Sequence, residues 1–176
     1  MRKLTLEELD KSRPDLSEIQ MNPFPIYVVL DNIRSLWNVG SIFRTSDGVR
    51  ISKLYLCGIT GKPPRKEIEK TALGATDTVP WEYVQDARTL ITKLKADGIK
   101  ICVLEHTNES KNYISLTKKD FPLCLVVGGE ISGVSKNIVT QADCAIEIPM
   151  FGMKQSLNAA VAYGIAVFEF VRILRA

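Results

Sequence analysis

The chain has 176 residues, of which 45% are hydrophobic and 24% charged, a composition typical of one soluble globular domain with a core of ordinary size. Its net charge of +3 is too small to establish a polyanionic partner by itself. No apolar run is long enough to span a bilayer, and the charged N-terminus lacks the apolar core of a signal peptide. We therefore expect a cytoplasmic protein without a membrane partner.

Cysteine and histidine usage argues against a metal centre and against a disulfide framework. The four cysteines share no ligand-type spacing, and each lies in an apolar, strand-like run. Buried thiols are therefore expected at Cys57, Cys102, Cys124 and Cys144. His106 is the only histidine, so a site built from several histidines is excluded, and no metal is expected.

The N-terminal residues 1–22 are charged and amphipathic, and they predict a helical extension that precedes the main domain, 23–176. In that domain, apolar runs alternate with helix-like segments, which predicts an α/β fold with a mostly parallel sheet and helices on both faces. The predicted strands are IYVVL (26–30), KLYLCG (53–58), a shorter run near 79–83, IKICVLE (99–105), LCLVVGG (123–129) and CAIEIP (144–149).

Two helices have clear boundary signals. Asp86 is a suitable N-cap for a helix with one apolar stripe, which Gly98 would end. The last helix is predicted to begin at Ser156, another good N-cap, and to continue close to the C-terminus.

Three loops after predicted strands combine glycine with polar side chains, at the edge of the sheet where ligands bind in such folds. They contain NVGSIFRT (38–45), GGEISG (128–133) and IPMFGMKQSLN (148–158). Gly128 and Gly129 permit close approach of a planar or anionic ligand, and the third loop has the character of an adenine slot. Their spacing differs from dinucleotide and P-loop signatures, which counts against a Rossmann-type oxidoreductase.

Arg44 has two interpretations on local grounds. A helix beginning near Val39 would turn Ile42 and Phe43 toward the sheet and leave Arg44 near the carboxyl ends of the strands. There the arginine either has a structural role, covering Phe43 or pairing with Asp47, or serves as a functional cation.

Taken in order, the three loops resemble the signature motifs of the SpoU (TrmH-like) RNA ribose methyltransferases of the SPOUT superfamily. NVGSIFRT resembles N-x-G-x-x-x-R-[ST], and VVGGEISGV resembles G-x-E-x-x-G-[LV]. IPMFGMKQSLNAAVA resembles I-P-M-x-G-x-x-x-S-L-N-x-x-x-A, and the resemblance runs from about Ile26 to Arg172. Val134 stands where leucine is commoner, whereas the arginine, glutamate, serine and asparagine positions are intact.

The resemblance implies an α/β fold with a C-terminal deep trefoil knot, and a homodimer with its active site at the subunit interface. It implies S-adenosyl-L-methionine (AdoMet) as donor of a methyl group to a ribose 2′-hydroxyl in RNA. Because no separate RNA-binding domain precedes the motifs, tRNA is favoured over rRNA, with guanosine as the favoured nucleoside; DNA is not expected to bind. The alternatives are an rRNA methyltransferase, a Rossmann-type oxidoreductase and a non-catalytic RNA-binding module.

The matching positions supply the candidate site. The catalytic candidates are Asn38, Arg44, Glu130, Ser156 and Asn158. The candidates for AdoMet binding are Leu104, Glu105, His106, Gly128, Gly129, Ile148, Met150, Ser156 and Leu157. RNA contacts are expected from Arg44 and from the basic segment 61–70, through Lys62, Arg65 and Lys66. A guanidinium stays protonated in proteins, so its chemistry favours Arg44 as a clamp for the phosphate and the developing alkoxide. The resemblance implies an alternative role as a base assisted by a phosphate, and both roles stay open.

Overall fold

A computed structural model describes residues 1–11, 15 and 21–176 of the chain. Helix α1, Leu6–Lys11, lies in the predicted N-terminal extension, and the parts of that extension at 12–14 and 16–20 lie outside the described residues. The division into an extension and a domain therefore stays a prediction. Across the described ranges, no helix has the length and apolarity needed to cross a membrane.

In the described part of the chain, seven strands form one sheet with the order β3-β2-β1-β6-β4-β7-β5. They are β1 Phe24–Asp31, β2 Ile51–Cys57, β3 Trp81–Val84, β4 Lys100–Leu104, β5 Lys111–Asn112, β6 Leu123–Gly128 and β7 Cys144–Glu147. Neighbouring strands pair in parallel, so all carboxyl ends lie at one edge. The predicted parallel sheet is confirmed; β5 was not predicted, because its two exposed residues carry no hydrophobic signal.

Helices cover both faces of this sheet, as predicted. The helices after α1 are α2 Leu36–Val49, α3 Lys66–Ala72, α4 Ala75–Thr78, α5 Ala87–Ala96, α6 Lys136–Val139 and α7 Ala159–Arg175. Successive strand residues point to opposite faces. One core therefore packs against α2, α3, α4 and α7, and the other against α5 and α6. The trefoil knot stays a prediction.

Close packing fixes α2 against its neighbours. At Gly40 the backbone of α2 approaches α3 so closely that an added Cβ would overlap the Ile68 carbonyl oxygen. On the other side, the buried hydroxyls of Ser46 and Tyr163 form a 2.7 Å hydrogen bond between α2 and α7. Burial raises the pKa of the Tyr163 hydroxyl, which therefore stays neutral.

The predicted start of α7 at Ser156 is wrong, whereas the predicted cap at Asp86 is confirmed. The N-cap of α7 is Asn158, whose Oδ1 accepts hydrogen bonds from the backbone N–H groups of Ala160 at 2.9 Å and Val161 at 3.4 Å. Serine and asparagine cap helices about equally well, so residue preference alone does not choose between the two positions.

The cysteines are free thiols, as expected from the sequence. Cys57, Cys102 and Cys124 are buried, and Cys144 is half-buried. Burial raises the pKa of the Cys57 thiol to about 12. Of the residues that the structure describes, no group of three or more His, Cys, Asp or Glu side chains is arranged to hold a metal ion.

Candidate active site

A cavity of about 460 Å³ opens beyond the carboxyl ends of β4, β6 and β7. Its wall contains all nine residues predicted to bind AdoMet, namely Leu104, Glu105, His106, Gly128, Gly129, Ile148, Met150, Ser156 and Leu157. They meet because β4 lies between β6 and β7, and the three strands end at the same edge. Three loops that are distant in sequence thus enclose one space.

Sequence reasoning missed several residues of this wall. They are Val127, Ile131, Gly133, Glu147, Ala159 and Ala162. Ala159 and Ala162 lie three residues apart on one face of α7, directly after its N-cap. They could have been predicted if the N-cap had been placed at Asn158. Glu147 is the last residue of β7 and directly precedes the third loop. A carboxylate at that position was the feature of the sequence that could have predicted its place in the cavity wall.

His106 connects the end of β7 to the loop 148–158. Its Nδ1 lies 3.2 Å from Oε2 of Glu147, and its Nε2 lies 3.0 Å from the backbone oxygen of Gln155. Each ring nitrogen of His106 therefore lies next to an oxygen that can accept a hydrogen bond. Hydrogen bonds from Ser110 and His106 hold the pKa of the Glu147 carboxyl below its usual value.

Glu105 joins the β4 end to the GGEISG loop. Its Oε2 accepts a 3.0 Å hydrogen bond from the backbone N–H of Val134, and its Oε1 accepts one of 2.9 Å from the N–H of His106. The carboxylate therefore holds the backbone at His106 and the backbone at Val134 in fixed positions relative to each other, on two sides of the cavity wall.

Gly128 at the end of β6 and Gly129 directly after it line the cavity, and on the side where a Cβ would project both pack against the chain itself. An added Cβ at Gly128 would overlap the backbone of Gly133 and Val134, and one at Gly129 would lie 2.6 Å from the Asn32 carbonyl oxygen. On that side the close neighbour is the chain itself, and the close approach of a ligand from the cavity stays a prediction. These glycines let the GGEISG loop fold back tightly, and the cavity opens beside it.

The first motif, 38–45, lies within helix α2 and does not form the expected loop. At the lip of the cavity, one chain of hydrogen bonds joins the first turn of α2 to the other two motif loops. Nδ2 of Asn38 donates to Oε1 of Glu130 at 2.7 Å, and Nδ2 of Asn158 donates to Oδ1 of Asn38 at 3.1 Å. The contact follows from the sheet, since Asp31 at the end of β1 is in register with Gly128 at the end of β6.

Glu130 is held as a carboxylate at this lip. Partial burial acts to raise its pKa, but hydrogen bonds from its own backbone N–H, from the Asn38 amide and from the backbone of Arg34 and Ser35 outweigh burial. The pKa therefore lies below its usual value, and the group is ionised at neutral pH.

The prediction that Arg44 lies near the carboxyl ends of the strands is wrong. Arg44 lines a separate groove of about 1070 Å³, together with Phe24 at the amino end of β1 and Phe168 of α7. An α-helix rises about 1.5 Å per residue, so Arg44 lies about 9 Å further along α2 than Asn38. Ile42 and Phe43 are buried as predicted.

Arg44 is exposed, and within the described ranges its side chain has no hydrogen-bond or ion-pair partner. The proposed pairing with Asp47 is not formed; Oδ1 of Asp47 accepts a hydrogen bond from the Thr78 hydroxyl instead. The guanidinium is thus available for a partner outside this chain.

The predicted basic segment 61–70 is only partly a loop, because α3 begins at Lys66. Lys62, Arg65 and Lys66 are exposed as predicted. Nζ of Lys62 lies 4.3 Å from the centroid of the Tyr83 ring, a cation–π contact that fixes one end of the segment.

Comparison with known proteins places this chain among RNA-modifying enzymes. A sequence model of the SpoU rRNA Methylase family matches residues 25–168. The chain is 36% identical over 168 residues to a tRNA (guanosine(18)-2′-O)-methyltransferase from Aquifex aeolicus, covering 94% of this chain and 73% of that protein. It spans 58% to 61% of several further curated relatives.

Solved structures agree with the sequence comparison. The A. aeolicus TrmH/SpoU tRNA modifying enzyme superposes with a TM-score of 0.82 and 33% identity, covering 96% of this chain and 83% of that one. An AdoMet-bound rRNA methyltransferase from Sinorhizobium meliloti gives a TM-score of 0.79 and 30% identity, covering 90% of this chain and 60% of that one. Residues of all three motifs meet at one cavity and its lip, and the family model matches most of the chain's length, so the chain belongs to the SpoU rRNA methylase family.

Proposed function

We propose that this protein transfers a methyl group from AdoMet to a ribose 2′-hydroxyl of RNA in the cytoplasm, with a guanosine of tRNA as the favoured target. The observation that carries the proposal is the cavity whose wall contains the nine predicted AdoMet-binding residues, with a hydrogen-bonded polar lip beside it. The name of the Aquifex relative supports tRNA and guanosine. The Sinorhizobium protein, an rRNA methyltransferase, supports rRNA as the second candidate substrate.

The cavity fits AdoMet in size and in chemistry. Its volume of about 460 Å³ lies within the usual range for small-ligand sites, about 300–1,000 Å³. Leu104, Val127 and Leu157 offer apolar surface to an adenine ring, and the carboxylates of Glu105 and Glu147 give the wall a negative character suited to a cationic ligand. Bound AdoMet supplies a methyl group on a positively charged sulfur.

The chain's own residues then have to orient the ribose and assist the loss of the proton from its 2′-hydroxyl. Asn38 and Asn158 hold Glu130 and each other in fixed positions at the lip, where amide and carboxylate groups can hydrogen-bond a sugar. Arg44 can bind the neighbouring phosphate with two N–H groups and stabilise the developing alkoxide. Assisted proton removal by Arg44 and a phosphate is the alternative role.

A homodimer completes this site in our proposal, because Arg44 lies outside the cavity of its own chain. One face of α7 exposes Val161, Ile165 and Phe168, the last of which lies in the same groove as Arg44. A second copy that covers this apolar face would bring its Arg44 to the first copy's cavity. Light scattering should report a dimer; a monomer that methylates RNA would refute this assembly.

Methyl transfer with labelled AdoMet tests the proposed function. Pools of unmodified tRNA and rRNA transcripts are incubated with the protein and digested to nucleosides, which are then identified by mass spectrometry. We expect 2′-O-methylguanosine, formed mainly in the tRNA pool. Methylation of a base, or calorimetric binding of NAD in preference to AdoMet, would refute the proposal.

A further inference from the structure

Trp37 exposes 49% of its surface in the first turn of α2, directly before Asn38 of the cavity lip. Its position is fixed from α3, since the Thr71 hydroxyl donates a 3.1 Å hydrogen bond to the Trp37 carbonyl oxygen. The close approach of the two helices at Gly40 holds the same pair together. A large aromatic ring is therefore presented to solvent on a rigid support beside the lip.

Helix α3, which supports Trp37, and the segment directly before it form an exposed basic edge. Nζ of Lys70 lies 5.8 Å from the centroid of the Trp37 ring. The members of this basic edge are Lys62, Arg65, Lys66 and Lys70. Within the part of the chain that the structure describes, none of the four has a carboxylate within ion-pair distance. Glu67 and Glu69 of the same helix are half-buried, so positive charge dominates the solvent side.

We propose that Trp37 is a stacking platform for an unpaired base of the substrate RNA, and that the basic edge binds the flanking phosphates. The inference rests on the proposed RNA methylation and names a residue that positions its substrate. An aromatic ring beside cations without counter-ions is the chemistry that binds single-stranded nucleic acid. The platform adjoins Asn38, so a base stacked there lies next to the nucleotide whose ribose reaches the lip.

A second copy of this chain fits the surface less well than RNA does. In a two-fold dimer a patch at the axis meets the same patch of the partner. The basic edge would then face another basic edge, and like charges would repel. Phosphate groups provide the missing negative charge instead.

Variants at Trp37 test the platform by RNA binding. Base stacking on an aromatic side chain is worth about 1–3 kcal/mol, so Trp37→Ala should weaken binding of unmodified tRNA transcripts by about fivefold to about 150-fold. Trp37→Phe should keep most of the affinity. AdoMet affinity, the oligomeric state and the salt dependence of RNA binding should remain as in the wild type. Ile114→Ala, which alters a 55% exposed residue near β5 at the opposite edge of the sheet, is the matched control.

Tryptophan fluorescence reports the stacking directly. The chain has two tryptophans, so Trp81→Phe leaves Trp37 as the only one, and its emission should be quenched when the transcripts bind. Three results would overturn the platform: unchanged affinity in Trp37→Ala, no quenching, or a loss of affinity that accompanies dissociation of the dimer. Failure of the wild type to methylate any RNA would instead refute the proposed function, since these binding measurements need no turnover.

Discussion

Asn158 illustrates how single side chains connect the fold to the site. Its Oδ1 caps α7 by accepting a 2.9 Å hydrogen bond from Ala160, while its Nδ2 donates at 3.1 Å to Asn38 at the lip. The start of the helix and the alignment of the lip therefore depend on one residue. The two tasks use different atoms, so they can be separated by substitution.

Substitutions of Asn158 should separate capping from catalysis. Asn158→Asp keeps an oxygen for the cap but removes the donor to Asn38, so the melting temperature should persist while methyl transfer falls by about tenfold or more. Asn158→Ala should also lose about 1 kcal/mol of unfolding free energy, because the cap is gone. Thermal melts and single-turnover rates measure the two effects. Wild-type rates in Asn158→Asp would remove this residue from the catalytic set.

Arg44 should contribute to catalysis and not to stability. It is exposed and has no partner among the residues that the structure describes, so Arg44→Ala and Arg44→Lys should keep the melting temperature and AdoMet affinity. Both should lose about 100-fold or more in methyl-transfer rate, since a lysine cannot supply the two-pronged guanidinium contact. Near-normal turnover in either variant would contradict the assigned role.

At the scale of elements, the site depends on how strand ends and loops pack. The strands could be predicted because their apolar runs are nearly continuous, and the cavity residues because the motifs follow strands that end at one edge. The position of Arg44 could also have been predicted, because a helix that joins two parallel strands runs from the carboxyl end of the first back to the amino end of the second. The role of Gly128 could not, because its close neighbour is the chain's own backbone, which the sequence does not reveal.

Gly128 should prove essential for the GGEISG loop. Gly128→Ala places a methyl group against the backbone of Gly133, so the loop must shift, at a cost of about 1–3 kcal/mol, and AdoMet affinity should fall with it. Gly152→Ala is the matched control, because an added Cβ there has no neighbour within 4 Å among the described atoms. Calorimetry and denaturant titration measure both quantities. Equal stability of the two variants would contradict the packing argument.

The basic segment at the start of α3 should act on RNA alone. Replacing Lys62, Arg65 and Lys66 together with Ser should weaken RNA binding and lower its salt slope by up to about one unit per lost phosphate contact. AdoMet affinity should not change, since none of the three lines the cavity. Replacing Lys111, Lys118 and Lys119 together with Ser, at three exposed lysines elsewhere, removes the same number of positive charges and controls for net charge. If the salt dependence of RNA binding were unchanged in the triple variant, the segment would be an ordinary solvent-exposed surface that does not contact RNA.

At the scale of the whole molecule, the described chain carries the two proposed parts of the active site in separate places. The cavity and its polar lip lie at the carboxyl ends of the strands, whereas Arg44 lies in a groove that reaches toward the amino ends. The apolar face of α7 borders that groove through Phe168. Two copies related by symmetry would bring the parts together twice, which is why we treat the dimer as the catalytic unit.

A mixed dimer tests this central claim most directly. One copy carries Arg44→Ala, and the other carries Ala162→Phe, which fills the AdoMet cavity; each variant alone should be inactive. In the purified heterodimer, the intact cavity of the first copy faces the intact Arg44 of the second. Since one of the two sites is restored, we expect about half of the wild-type rate of ribose methylation. A heterodimer as inactive as the two parent dimers would contradict a site shared between copies.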